Sequence, residues 1–130
     1  MAVKAVSDLR AADIDLRATP PLLEDALFHC QQATEKSLKA YLTFHDIPFR
    51  KTHSLEELGE ASLRIDRSLS ALVEDVVPLT EYAWVFPYPG EPRNPSLGET
   101  EAGLTLAHKL YGAIRTRIPK EAHPTEIAQQ

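Results

Sequence analysis

Prolines divide this chain of 130 residues into segments, and the segments between them carry apolar residues at helical spacing. Proline fixes φ and lacks an N–H donor, and it disfavours helical backbone in the residue before it. The interruptions fall at Pro20 and Pro21, at Pro48, at Pro78, at four prolines between 87 and 95, and at Pro119. No segment shows the sustained period-two alternation of a strand. The sequence therefore predicts an all-α fold, and the short connections favour an up-and-down bundle of four to five antiparallel helices.

Apolar periodicity and capping signals give the bounds of the predicted helices. They run from Ala5 to about Arg17, from about Pro21 to about Phe44, from Ser54 to the residues before Pro78, and from Ser96 to about Ile118. Thr19 is a candidate N-cap for the second helix, and Ser54 and Ser96 each open a Ser-x-x-Glu capping box. The third segment is either one bent helix or two short ones.

Length and composition favour one domain over residues 1–119, followed by a flexible tail at 120–130. No apolar run approaches the roughly 18 residues of a membrane-spanning helix, and the first residues lack the apolar stretch of a secretory signal. We therefore expect a cytoplasmic protein without membrane contact. The net charge of −5 means that any contact with nucleic acid must be confined to a local basic patch.

The sequence lacks the motifs of the common catalytic and cofactor sites. Its one cysteine, Cys30, cannot form an internal disulfide and is predicted to pack in the core. There is no Gly-rich phosphate loop, no Ser/His/Asp order, no cluster of metal ligands and no paired-carboxylate motif. We therefore predict no cofactor, no metal site and no catalytic residue.

A polar stripe follows the second predicted helix. His29, Gln32, Lys36 and Lys39 are spaced by three or four residues, so they share one side of that helix. Lys36 and Lys39 could hold a phosphate while the other two side chains reach a base or a ribose. The alternative is a solvated helix face, which any amphipathic helix requires.

Gln31 and Glu35 lie instead within the broad apolar arc of the same helix. A carboxylate in apolar surroundings needs a partner. That partner is either the same region of a second subunit or a group within the chain, so these two residues mark an interface or an internal hydrogen-bond network. Neither interpretation requires catalysis.

The segment before the third helix combines two cations, two hydroxyl groups and a histidine. Arg50 and Lys51 precede Thr52, His53 and Ser54, and the start of a helix also offers unpaired backbone N–H groups. The segment is therefore a candidate anion site. Capping alone explains Ser54 and part of Thr52, and in that case His53 would bond across the bundle.

Together these residues resemble the HEPN family. The sequence Gln-Gln-Ala-x-Glu-Lys-x-Leu-Lys-Ala at 31–40 is the strongest motif, and Thr52-His53 matches the head of the family's third helix. Tyr88-Pro89-Gly90 matches the end of the Arg-Tyr-Pro-Gly motif of many relatives; Pro87 replaces its arginine, and Arg93 could restore the cation. The resemblance implies a small domain of four or five helices, of a kind linked to nucleotidyltransferases and to RNA-targeting toxin systems.

RNA-cleaving members of this family carry an Arg and, four to six residues away, a His at the mouth of the last helix. Arg117 and His123 have a permitted spacing, but Pro119 and the tail separate them. Without a positioned Arg and His, no acid–base pair is available to activate a ribose hydroxyl. The sequence therefore does not predict a ribonuclease.

The hypothesis from the sequence is a HEPN-like homodimer that binds nucleotide or RNA phosphate beside a small nucleotidyltransferase, in a toxin–antitoxin-like pair. The alternative is a structural helical module that dimerises without a ligand, and a ribonuclease is less favoured than either. In the first case the stripe, the start of the third helix and the tyrosine loop would line one groove. The candidate binding residues are His29, Gln32, Lys36, Lys39, Arg50, Lys51, Thr52, His53, Tyr88 and Arg93.

Overall fold

A computed structural model describes residues 2–84 and 94–119 of the chain. Within these residues the α-helices are α1 Ala2–Arg17, α2 Leu23–Phe44, α3 Leu55–Leu63, α4 Ser70–Val76 and α5 Leu97–Arg117. Short 3₁₀ helices at 67–69 and 77–82 lie before and after α4. The described residues contain no strand, so the predicted all-α bundle is confirmed. The predicted tail at 120–130 lies outside the described residues.

Two of the three predicted caps form as expected. The Oγ atoms of Ser54 and Ser96 accept the N–H groups of Glu57 and Glu99, at 3.2 and 3.0 Å. The prediction that Thr19 caps α2 is wrong. Leu22 precedes that helix without a side-chain cap, and its own N–H donates to a backbone carbonyl of α1 at 2.9 Å.

The predicted third segment is two short helices rather than one bent helix. Asp66 separates them, because its backbone is extended and its Oδ1 accepts the N–H of Ser68 at 2.9 Å. The helices pack closely where Gly59 of α3 faces Val73 of α4, since a β-carbon at Gly59 would overlap Cγ1 of that valine. The close approach therefore depends on the missing side chain.

The long helix α2 is the centre of the bundle, packing against α1, α3, α5 and the second 3₁₀ helix. It runs antiparallel to α1, because Asp8 meets Lys36 near one end of the pair and Asp15 meets Asp25 near the other. Apolar side chains from the helices form one core: among the fully covered ones are Leu38, Tyr41, Leu42, Leu55, Leu58, Leu69 and Leu110.

Cys30 lies in this core, as predicted from the sequence. It is fully buried, and burial raises the pKa of its thiol to about 12, with smaller contributions from Asp13 and Asp15. The thiolate, the nucleophilic form, is therefore negligible at neutral pH. None of the described helices combines the length and apolarity needed to span a bilayer.

Candidate functional site around Glu35

A buried carboxylate on α2 collects hydrogen bonds from three side chains. Glu35 Oε1 accepts Nε2 of Gln31 at 3.0 Å and Nδ1 of His53 at 2.8 Å. Its Oε2 accepts Nζ of Lys39 at 2.9 Å. Gln31 and Lys39 lie one turn before and one turn after Glu35, so the helix itself places both beside it. We call these four residues, together with Gln32, the Glu35 site.

The contacts keep Glu35 ionised. Burial alone would raise the pKa of its carboxyl, but hydrogen bonds from Gln31, His53 and Lys39 together with the Lys39 charge hold that pKa below its ordinary value. An ionised carboxylate accepts hydrogen bonds and donates none. The Nδ1 atom of His53 must therefore carry the proton in this contact, which leaves Nε2 as the other polar atom of the ring.

The backbone and the amides extend the network to both sides. Nε2 of Gln31 also lies 3.3 Å from the carbonyl oxygen of His53, to which it donates. Gln32 donates from its Nε2 to Oε1 of Gln31 at 2.7 Å. Gln31 is fully buried and Glu35 nearly so. These contacts form the internal hydrogen-bond network that was one of the two sequence interpretations.

One face of the site is open to solvent and partly aromatic. The side chain of His53 is 51 % exposed, and its ring meets Trp84 edge to face with centroids 6.1 Å apart. Trp84 is itself 46 % exposed. Nζ of Lys39 lies 5.9 Å from the ring centroid of Phe49, and Lys51 is exposed two residues before His53. Cations and aromatic rings therefore share this surface.

Three backbone N–H groups at the start of α3, those of Ser54, Leu55 and Glu57, donate to side chains of the same chain. Thr52 Oγ1 accepts the N–H of Ser54 at 3.0 Å, and Ser54 Oγ in turn accepts the N–H of Glu57. The N–H of Leu55 donates to Oγ1 of Thr80 at 3.2 Å. These contacts correspond to the capping interpretation, and they leave these three amides unavailable to an anion.

The polar stripe predicted on α2 divides between two neighbours. Lys39 and Gln32 belong to the Glu35 site, whereas Lys36 and His29 contact α1. Nζ of Lys36 lies 2.6 Å from Oδ2 of Asp8, and Nδ1 of His29 lies 2.8 Å from Oδ1 of the same carboxylate. The picture of one continuous groove along the stripe therefore needs correction, because half of its polar groups are bonded to a different helix.

The other predicted residues are dispersed. Arg50 pairs with Glu57 at 2.6 Å on the exposed side of α3. Arg117 of α5 donates from Nε to Oδ2 of Asp66 at 2.8 Å. The remaining predictions fall on Tyr88, Arg93 and His123, which lie outside the described residues.

Comparison with known proteins identifies the family. A model of the HEPN domain family matches residues 2–117, which is most of the chain. The chain belongs to the HEPN family. No curated protein and no solved structure gives a significant match. Family membership makes this a helical module related to nucleotides or RNA, and it agrees with the resemblance carried by the motif at 31–40.

The HEPN motif at 31–40 has a structural explanation in this chain. Three members of the hydrogen-bond network come from this motif, namely Gln31, Glu35 and Lys39. The motif also places Ala33 and Leu38 in the core. Thr52 accepts the N–H of Ser54, the residue that caps α3, and His53 is the fourth member of the network. The motif therefore fixes how α2 meets the start of α3.

Sequence reasoning missed the polar contact between α1 and α2 of this HEPN domain. Asp8 and Asp15 are seven residues apart on α1, and both are buried. Asp15, Asp25 and His29 each place one ligand atom within 4.8 Å of the others, a grouping that could hold a metal ion. The available signal was the spacing, because two carboxylates a heptad apart lie on the same face of a helix as Ala5 and Ala12.

Proposed function

We propose that this HEPN protein binds the phosphate of a nucleotide or of RNA at the Glu35 site and acts without cleaving RNA. We further propose that it forms a homodimer and works beside a small nucleotidyltransferase, in a toxin–antitoxin-like pair. Family membership supports the nucleotide or RNA connection. We choose this site because the imidazole of His53 is half-exposed and is hydrogen-bonded to the ionised Glu35.

The geometry suits a phosphate oxygen at Nε2 of His53. With Nδ1 bound to Glu35, a protonated ring donates its second N–H outward, and hydrogen bonds between charged groups are about twice as strong as neutral ones. Lys39 already neutralises Glu35, so a charged His53 and the exposed Lys51 would leave net positive charge on this surface. Trp84 beside the ring offers a face on which a base can stack.

Binding is tested with the full-length chain by fluorescence anisotropy, using labelled mononucleotides and short single-stranded RNA. We expect His53→Gln to weaken binding by roughly 10- to 100-fold, since a hydrogen bond to a charged group contributes about 1.5 to 3 kcal/mol. His108→Gln is the matched control, because His108 is exposed to a similar degree on α5. It should leave the affinity unchanged.

A second variant separates base stacking from phosphate binding. Trp84→Ala should weaken the binding of nucleotides and RNA, because stacking contributes about 1 to 3 kcal/mol per base, while pyrophosphate should bind as before. No saturable binding by the wild type at low salt would overturn the ligand proposal and favour the structural module. RNA cleavage that His53→Gln leaves intact and Arg117→Ala abolishes would instead favour a ribonuclease.

Dimerisation and the enzyme partner need their own measurements. Large apolar side chains stay exposed on the described surface, including Ile14 of α1 and Leu22 just before α2, and a second subunit could cover them. Sedimentation velocity of the purified chain should give twice the monomer mass. Co-expression with a nucleotidyltransferase encoded beside this gene should yield a complex that survives gel filtration, and separate elution would refute the pairing.

A further inference from the structure

A second polar cluster lies between α1 and α2, and the proposed nucleotide binding does not use it. Asp15 comes from α1, while Asp25 and His29 lie one turn apart on α2. One carboxylate oxygen of each aspartate and one ring nitrogen of the histidine all lie within 4.8 Å of one another. We call these three residues the Asp15 cluster.

Asp15 is the member whose environment calls for a cation. It is only 9 % exposed, and its Oδ2 is buried without a hydrogen-bond partner. The carboxylate of Asp25 lies beside it. Two groups of like charge therefore face each other, and one of them, Asp15, is shielded from solvent. The buried oxygen needs either a proton or a metal ion.

His29 has the hydrogen bonds that orient a metal-binding imidazole. Its Nδ1 lies 2.8 Å from Oδ1 of Asp8, whose Oδ2 lies 2.6 Å from Nζ of Lys36. Metal-binding histidines usually donate their other ring N–H to a carboxylate in this way, which fixes the tautomer. The lone pair is then on Nε2, and this atom faces Asp25, 3.6 Å from its Oδ2.

We propose that Asp15, Asp25 and His29 bind one divalent transition-metal ion, such as Mn²⁺ or Zn²⁺, that joins α1 to α2. The two carboxylates would neutralise the ion, and the imidazole nitrogen favours transition metals over Mg²⁺ and Ca²⁺, which prefer oxygen ligands. Metal–ligand bonds of about 2.0 to 2.2 Å would require the three ligand atoms to lie closer together than 4.8 Å. The half-exposed Asp25 has the freedom to move inward by that amount.

The test is a calorimetric titration of the chelator-treated full chain with Mn²⁺ and Zn²⁺, and with Mg²⁺ and Ca²⁺ for comparison. We expect one ion per chain, with the transition metals bound more tightly. Asp25→Asn and His29→Gln should each weaken metal binding at least roughly tenfold. Changing a group that only orients a metal ligand already costs about that much, and these two residues would bind the ion directly. Asp13→Asn and His108→Gln are matched controls, because they alter an exposed Asp–His pair on α1 and α5.

A measurement on the wild type keeps the test independent of how the variants fold. Mn²⁺ added in substoichiometric amounts should broaden the NMR signals of the His29 ring before those of the other four histidines. The proposal is overturned if no saturable binding occurs, if Mg²⁺ or Ca²⁺ binds as tightly, if Asp25→Asn binds like Asp13→Asn, or if another histidine broadens first.

Discussion

Replacing Asp15 by asparagine should stabilise the metal-free protein at neutral pH. The buried carboxylate faces Asp25, and raising its pKa from 3.8 to about 6 corresponds to about 3 kcal/mol, since one pKa unit equals about 1.4 kcal/mol. Asparagine has the same shape, carries no charge and donates an N–H toward the neighbouring carboxylate. Because Asp25 is half-exposed and water screens its charge, we expect a gain of about 1 to 3 kcal/mol in the free energy of unfolding.

The sign of the pH dependence identifies the cause. A carboxyl whose pKa is higher in the folded protein binds its proton more tightly there than in the unfolded chain. Its contribution to stability is therefore favourable at low pH and is lost as the pH rises from about 4 to about 6. The advantage of Asp15→Asn over the wild type should be largest above pH 6 and should nearly vanish at about pH 4.

Urea unfolding followed by circular dichroism, in buffer containing a chelator, gives these free energies at pH 7.5 and at about pH 4. Asp13→Asn is the control, because this aspartate is exposed on the same helix and its replacement should change stability by no more than about 0.5 kcal/mol. If Asp15→Asn destabilises the protein at pH 7.5, or has the same effect at both pH values, the explanation by burial of the charge and repulsion from Asp25 is refuted.

Two further predictions concern packing and an ion pair. Gly59→Ala should destabilise the protein, because the cost of overpacking, about 1 to 3 kcal/mol, exceeds the gain in helix propensity. At Gly112 an added β-carbon would meet no atom within 4 Å, so Gly112→Ala should stabilise the protein by about 0.5 to 1 kcal/mol. Thermal unfolding measures both effects. Equal shifts for both variants would contradict the overlap. Hydrogen bonds from the Ser68 hydroxyl and from Arg117 lower the pKa of Asp66 to about 2. Arg117→Gln should raise that pKa, and a carboxyl carbon NMR titration showing no change would exclude the contribution of the arginine.

The nucleotide proposal and the metal proposal can be refuted independently of each other. His53→Gln removes a group bonded to Glu35, whereas Asp25→Asn changes the contact between α1 and α2. Loss of metal binding with intact nucleotide affinity, or the reverse, would therefore assign each ligand to its own cluster. A change that affects both ligands would point to α2, which contributes residues to each.

Local signals in the sequence determined the helices and most of their ends. Prolines and apolar periodicity act over a few residues, so they predicted α1, α2 and α5 to within a few positions, and Ser54 and Ser96 cap as predicted. The same reasoning failed for Thr19, because the connection between α1 and α2 is held by a backbone hydrogen bond from Leu22 to Asp15 of α1. The motif at 31–40 was enough to recognise the HEPN family.

Only the tertiary structure decided which partner each charged side chain has. The sequence showed that a carboxylate in the apolar arc of α2 needs a partner, but His53 lies 18 residues from Glu35, and Asp8 lies 28 residues from Lys36. Helical periodicity tells which side of a helix a residue occupies and is silent on which helix faces that side. The packing of the helices divides the polar stripe between two neighbours. It also brings Asp15 close to Asp25 and His29.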